Sequence, residues 1–192
     1  MFAVIADQIG SRAAVGHVDA QIAAIAELAG GHLVQPADRI AADDIQAATE
    51  DAATALAIAL RLTRDGNWCV GLGIGEDTAF GLARNAVDAA KKSPTRFALA
   101  MDAGRLPDAR LLQPLIDLLL QLRARRTPEG WEVAEQLVSG TTQAQLAARL
   151  GVTPQAISLR VQNAQLHTER AAIASLVELL EASGEPPQHS RA

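Results

Sequence analysis

The stretch Thr142-Gln-Ala-Gln-Leu-Ala-Ala-Arg-Leu-Gly-Val-Thr-Pro-Gln-Ala-Ile-Ser-Leu-Arg-Val161 reads as two short helices around one tight turn. Gly151 ends the first helix in the left-handed conformation that other residues resist. Thr153 caps the second, and Pro154 takes its first position, where a missing amide proton costs nothing. Ala147 is small enough for the second helix to cross close over it. Leu146, Leu150, Val152, Ile157 and Val161 fill the core between the two. The pattern is that of a helix-turn-helix, whose second helix puts its N-terminal half into the major groove of duplex DNA. Thr153, Gln155, Ala156, Ser158 and Leu159 would then face bases or sugar. Gln155 is the best base reader, because both ends of its amide match the adenine edge. Arg149 and Arg160 would contact phosphates, with Arg123, Arg125 and Arg126 as further candidates. The competing reading is an αα-hairpin used only for packing.

Working outward, Trp131, Val133, Ala134, Leu137 and Val138 form an amphipathic helix before the motif, ended by Ser139-Gly140. After it, Ile173, Leu176, Val177 and Leu180 share one face of a helix from His167 to Leu180, and no β-wing is visible. The end of the chain, GEPPQHSRA, is expected to be disordered. Upstream, Leu111, Leu115, Leu118 and Leu122 recur at spacings of four, three and four, with Leu112, Ile116 and Leu119 widening the stripe. So broad an apolar face calls for burial, on its own domain or against a second chain. Pro114 fits only near the first turn of that helix or else kinks it.

Before Gly104 the style changes. Phe2–Ala6, His32–Val34, Trp68–Ile74 and Thr95–Met101 read as strands, and the Ile22–Leu28 stripe, the Ala-rich run from Asp44 to Leu62 and Thr78–Lys91 read as helices. Pro36 confines the second strand to an edge or interrupts it. Gly71, Gly73 and Gly75 alternate along the third strand and suit close helix packing better than dinucleotide binding, since no GxGxxG is present. The alternation predicts an α/β sandwich. The expected division is 1-104 as α/β domain, 105-126 as a Leu-rich linker helix, 127-182 as the DNA-binding domain and 183-192 as a tail.

Composition fits this plan. The 192 residues are 49% hydrophobic and 20% charged, enough for packed cores. The net charge of −5 argues at first against nucleic acid, but it is unevenly spread: −5 up to Gln121, +2 from Leu122 to Arg170 and −2 beyond. With so modest a basic bias, binding would rely on a homodimer to double the contacts. No apolar run is long enough for a membrane span, and the opening MFAVIADQIGSR lacks the basic start of a signal peptide, so a cytoplasmic protein is expected. Cys69 lies in an apolar run and reads as a small buried hydrophobe. His17, His32, His167 and His189 have no zinc spacing, and no Ser/His/Asp or Cys/His signature supports hydrolysis. The five aromatics, Phe2, Trp68, Phe80, Phe97 and Trp131, look like core rather than platforms for single-stranded nucleic acid.

Three segments of the first domain, Asp7-Gln8-Ile9-Gly10-Ser11-Arg12, Ala42-Asp43-Asp44-Ile45-Gln46 and Val70-Gly71-Leu72-Gly73-Ile74-Gly75-Glu76, resemble the SatD family of bacterial proteins, whose members often carry a C-terminal helix-turn-helix. The resemblance implies a ferredoxin-like α/β fold distantly similar to nucleotide cyclase and GGDEF domains. In those folds one Asp ends the first strand and another sits in a neighbouring hairpin, together holding metal on a nucleotide triphosphate. Asp7 and Asp43 are the matching positions, a carboxylate pair suited to Mg²⁺ on phosphate oxygens. The chain departs from the family pattern at Ala42, Asp44 and Ile45, where Gly, Glu and Phe are usual. Ala42 hinders a tight glycine turn at phosphate. The expectation is therefore a non-enzymatic, DNA-binding regulator without cofactor, partnered by duplex DNA, a second copy and a small-molecule or nucleotide effector. The alternatives are a Mg-dependent nucleotide-binding enzyme or sensor and a protein-interaction module.

Overall fold

The computed structural model describes residues 1–10, 17–41, 43–138 and 140–185. Ser11, Arg12, Ala42 and Ser139 lie outside the described residues, as does most of the expected tail, 186–192. The chain is an α/β protein, with one five-stranded mixed sheet and eight helices among the described residues. It divides into two compact units, 1–117 with Leu176 onward, and Leu118–Ser175.

In the first unit β1 (Phe2–Gln8), α1 (His17–Ala29), β2 (Leu33–Arg39), β3 (Asp44–Thr49), α2 (Ala52–Leu62), β4 (Trp68–Ile74), α3 (Ala79–Ala90) and β5 (Phe97–Met101) follow in chain order. The sheet runs β2-β3-β1-β4-β5. β1 is antiparallel to both β3 and β4, β2 is antiparallel to β3, and β5 joins parallel to β4. Buried β1 and β4 residues alternate between two covered faces, so both strands read as continuous apolar runs. Pro36 sits on edge strand β2, where its missing N–H breaks no pairing with an outer neighbour and where the register with β3 shifts.

The helix expected over Asp44–Leu62 is corrected by β3. Asp44–Thr49 pairs with β1 along six residues, and the chain turns before α2 starts at Ala52. Asp51 makes the break: it is extended, with φ −93° and ψ 116°, and its carboxylate accepts the Thr54 amide at 2.7 Å. Alanine's helix preference yields here to a central position between two strands. The buried face of α1 is Val18, Gln21, Ile25 and Ala29, rather than the stripe ending at Leu28, which is exposed.

One sheet face carries α3. Ala3, Ile5 and Cys69 pack on Ala79, Ala83, Ala86, Val87 and Ala90. Gly71 and Gly73 face the same helix, and a Cβ on Gly73 would stand 2.1 Å from the Ala79 carbonyl oxygen. Only glycine lets the helix backbone come so near. Cys69 is buried, and desolvation pushes its thiol up from the ordinary value.

Beyond β5 come α4 (Ala109–Ala124), α5 (Pro128–Val138), α6 (Gln143–Leu150), α7 (Pro154–Asn163) and α8 (Leu166–Gly184). Along α4, Leu112, Ile116, Leu119 and Leu120 are buried while Leu111, Leu115 and Leu118 are exposed. Pro114 lies inside this helix, where it cannot donate to the Arg110 carbonyl. In the first unit the end of α8 is fastened by Arg105, whose Nη1 donates to the carbonyls of Ser183, Gly184 and Glu185 at 3.0, 2.8 and 3.0 Å. A cation at the C-terminal carbonyls of a helix satisfies acceptors that have no partner within it. No helix among the described residues is long and apolar enough to cross a membrane.

Candidate nucleic-acid interface

The second unit is built around Val133, Leu146, Ala147, Ile157, Val161, Ala164 and Leu166. Each of the two motif helices begins on a threonine. Thr142 accepts the Gln145 amide at 3.2 Å while its own amide donates to Gln145 Oε1 at 2.9 Å, a reciprocal box that the T-x-x-Q spacing carries in the sequence. Thr153, with φ −77° and ψ 152°, accepts the Ala156 amide at 3.2 Å. Between them Gly151 has φ 65°, and the Val152 amide reaches back to the Ala147 carbonyl at 3.0 Å.

These stops and starts set the rotation of α7. Ile157 and Val161 turn into the core, which leaves Gln155, Ser158, Leu159 and Gln162 on the outer side, exposed, with Leu159 55% accessible. Thr153 is exposed at the helix start and Ala156 is half-buried beside it. Gln162 belongs to the same outer face one turn further on; its i+4 spacing from Ser158 is the signal that finds it. The face presents amide, hydroxyl and aliphatic groups and no charge, which is the chemistry of base edges and thymine methyls rather than of phosphate.

The arginines divide into two kinds. Arg149 is exposed and donates to the Gln136 side-chain oxygen, and Arg160 pairs with Glu132 at 3.2 Å with both side chains partly exposed. Surface pairs of this sort are worth at most about 1 kcal/mol, so a phosphate can displace them cheaply. Arg125 is exposed at the end of α4. Arg123 and Arg126 correct the expectation that they reach phosphate: both guanidinium groups bind the carboxylate of Glu169, with side chains 14% and 1% exposed. Both also lie over the Trp131 ring, 4.9 and 4.5 Å from its centroid, and Arg126 donates to the Ala164 carbonyl at 3.0 Å. Their role is internal, because two cations and an indole face enclose one carboxylate.

In the first unit Asp7, Asp43 and Asp44 bring carboxylate oxygens within 4.8 Å of one another at the end of β1. Asp7 stands directly across from Asp44 in the β1–β3 pairing, on the α3 side of the sheet. Three half-buried carboxylates in that space could hold a divalent cation, but two already have cationic partners from α3 and its end. Lys91 Nζ is 2.5 Å from Asp7, and Arg84 Nη1 is 2.6 Å from Asp44. The bond to Asp7 raises the Lys91 ammonium above its ordinary value of 10.5. Nothing near Lys91 or Arg84 in the sequence signals these pairings, which the packing of α3 creates. No family model, no curated protein and no solved structure matches the chain.

Proposed function

We propose that this chain is a DNA-binding transcriptional regulator or accessory protein that reads duplex DNA through α6 and α7 as a homodimer, with its α/β unit serving dimerisation or ligand sensing. The observation that carries the reading is the uncharged outer face of α7, with Gln155, Ser158 and Leu159 exposed behind a capped start at Thr153. Thr153 and Ala156 lie at the end that would enter the groove, and Arg149 and Arg160 flank it for phosphate contact. The SatD resemblance and the ferredoxin-like description of the first unit belong to this proposal. The strand order β2-β3-β1-β4 within β1-α1-β2-β3-α2-β4, with β5 appended parallel, supports the ferredoxin-like description; the SatD resemblance rests on the three sequence segments alone.

A gel shift against genomic fragments tests it. Retention should fall steeply with salt, Gln155→Ala should relax base preference, and Arg160→Ala should weaken all sequences alike and lower the salt slope by about 1. Absence of salt-sensitive retention on every fragment removes the reading.

A second reading rests on Asp7, Asp43 and Asp44, whose spacing suits Mg²⁺ with a nucleotide as effector or substrate. Binding would require the Mg²⁺ to displace Lys91 and Arg84 from the carboxylates. Calorimetry with nucleotide and Mg²⁺ decides it: heat abolished by Asp7→Asn supports the site, and no heat rejects it.

A further inference from the structure

The leucines that α4 leaves outside form an ordered series. Leu111, Leu115 and Leu118 are 61%, 44% and 63% exposed, and Leu122 is half-buried one turn on. Helical spacing adds a residue at each end of the series: Asp108, which accepts the first amides of α4, and Arg125, exposed just past its last turn. The resulting series Asp108, Leu111, Leu115, Leu118, Leu122, Arg125 steps by three, four, three, four and three. The steps are the same read from either end, while the terminal charges are opposite.

We propose that this ridge of α4 is the contact between two copies of the chain, packed antiparallel across a two-fold axis. Symmetric spacing is what an isologous contact demands, since each side chain must meet the image of another on the same surface. Antiparallel pairing sets Leu111 against Leu122 of the partner subunit and Leu115 against Leu118 of the partner subunit, in the three-four alternation of a helix-pair seam. It also sets Asp108 against Arg125 of the partner subunit, twice over. The Asp108 carboxylate already holds Arg110 at 2.8 Å, so the direction is selected at the other end: parallel pairing would bring Arg125 onto its own image, like charge on like, whereas antiparallel pairing gives it a carboxylate. The leucines supply apolar area that a lone chain leaves in water. The inference rests on the homodimer of the proposed function and moves its contact from the α/β unit to α4, but its test needs no DNA, so failure of one does not imply failure of the other.

Sedimentation of the full chain without DNA should give a dimer. Leu115→Glu with Leu118→Glu should give a monomer with unchanged helical circular dichroism, and Arg125→Glu should raise the dissociation constant at least about tenfold. Asp108→Lys combined with Arg125→Glu should recover much of that loss. Because Asp108 also holds the start of α4, a second measurement covers a failure of that variant to fold. Leu115→Cys mixed with Leu118→Cys should cross-link to each other far faster than either does to itself. A wild-type monomer at every concentration, a dimer indifferent to the two glutamates, or preferential self-cross-linking at 115 overturns the proposal.

Discussion

The sheet unit and the helical unit solve the same packing problem by opposite means. In the sheet unit, side chains are removed where α3 meets β4: Gly71 and Gly73 lie under Ala79, Ala83 and Ala86, and backbone approaches backbone. In the helical unit few large residues are available, and the helices are held by end caps and by a nearly enclosed ionic cluster, Glu169 between Arg123 and Arg126 over Trp131. The first arrangement tolerates no added atom, and the second tolerates no missing partner. A small unit with little core to spare has reason to specify its geometry through polar contacts, although such contacts are costly when incomplete.

The sharpest way to break this comparison is Glu169→Ala. It leaves the 1%-exposed Arg126 side chain without its carboxylate, and the helical unit should lose about 3–5 kcal/mol. Urea unfolding followed by Trp131 fluorescence in a Trp68→Phe background checks it; a loss no larger than that of a surface change would show that the cluster does not hold the helices. Next in size is Gly73→Ala. Its methyl group would meet the Ala79 carbonyl oxygen at 2.1 Å, and the sheet unit should lose about 2–3 kcal/mol as α3 is pushed away. Trp68 fluorescence with Trp131→Phe reads that loss, and a neutral outcome would mean that α3 has room to spare.

A smaller effect separates capping from both. Asp51→Ala should cost about 1 kcal/mol by releasing the Thr54 amide at the start of α2. The Thr54 hydrogen bonds hold the Asp51 carboxyl below its ordinary value of 3.8. A depressed folded-state value means that the stabilisation is complete above 3.8 and fades as acid takes the pH down through the lowered value. Denaturation midpoints of the wild type and Asp51→Ala should therefore converge in strong acid and stay separated at neutral pH. Smallest of all is the effect of Gln155→Ala on folding, within about 0.5 kcal/mol, because the side chain is on the exposed face of α7. A larger stability loss by thermal melt would assign Gln155 to packing rather than to recognition.

What could be read along the chain was whatever a residue does within its own turn or strand. Gly151, Thr153 and Pro154 specify the break between α6 and α7 locally, and the apolar runs at Phe2–Ala6 and Trp68–Ile74 announce strands covered on both faces. The spacing of Ile157 and Val161 likewise decides which side of α7 remains outside. Strand β3 was hidden because Ala47 and Ala48 are locally as suited to a helix as Ala52 and Ala55. Their extended form is stabilised by pairing with β1, far off in the sequence. Tertiary structure alone decided the partners that charged groups find far along the chain. Arg84 meets Asp44 across 40 positions, Arg123 meets Glu169 across 46, and Arg105 reaches the end of α8 across 78. Local conformational preference decays within a few residues, whereas the carboxylate a guanidinium finds depends on how whole helices and strands are packed.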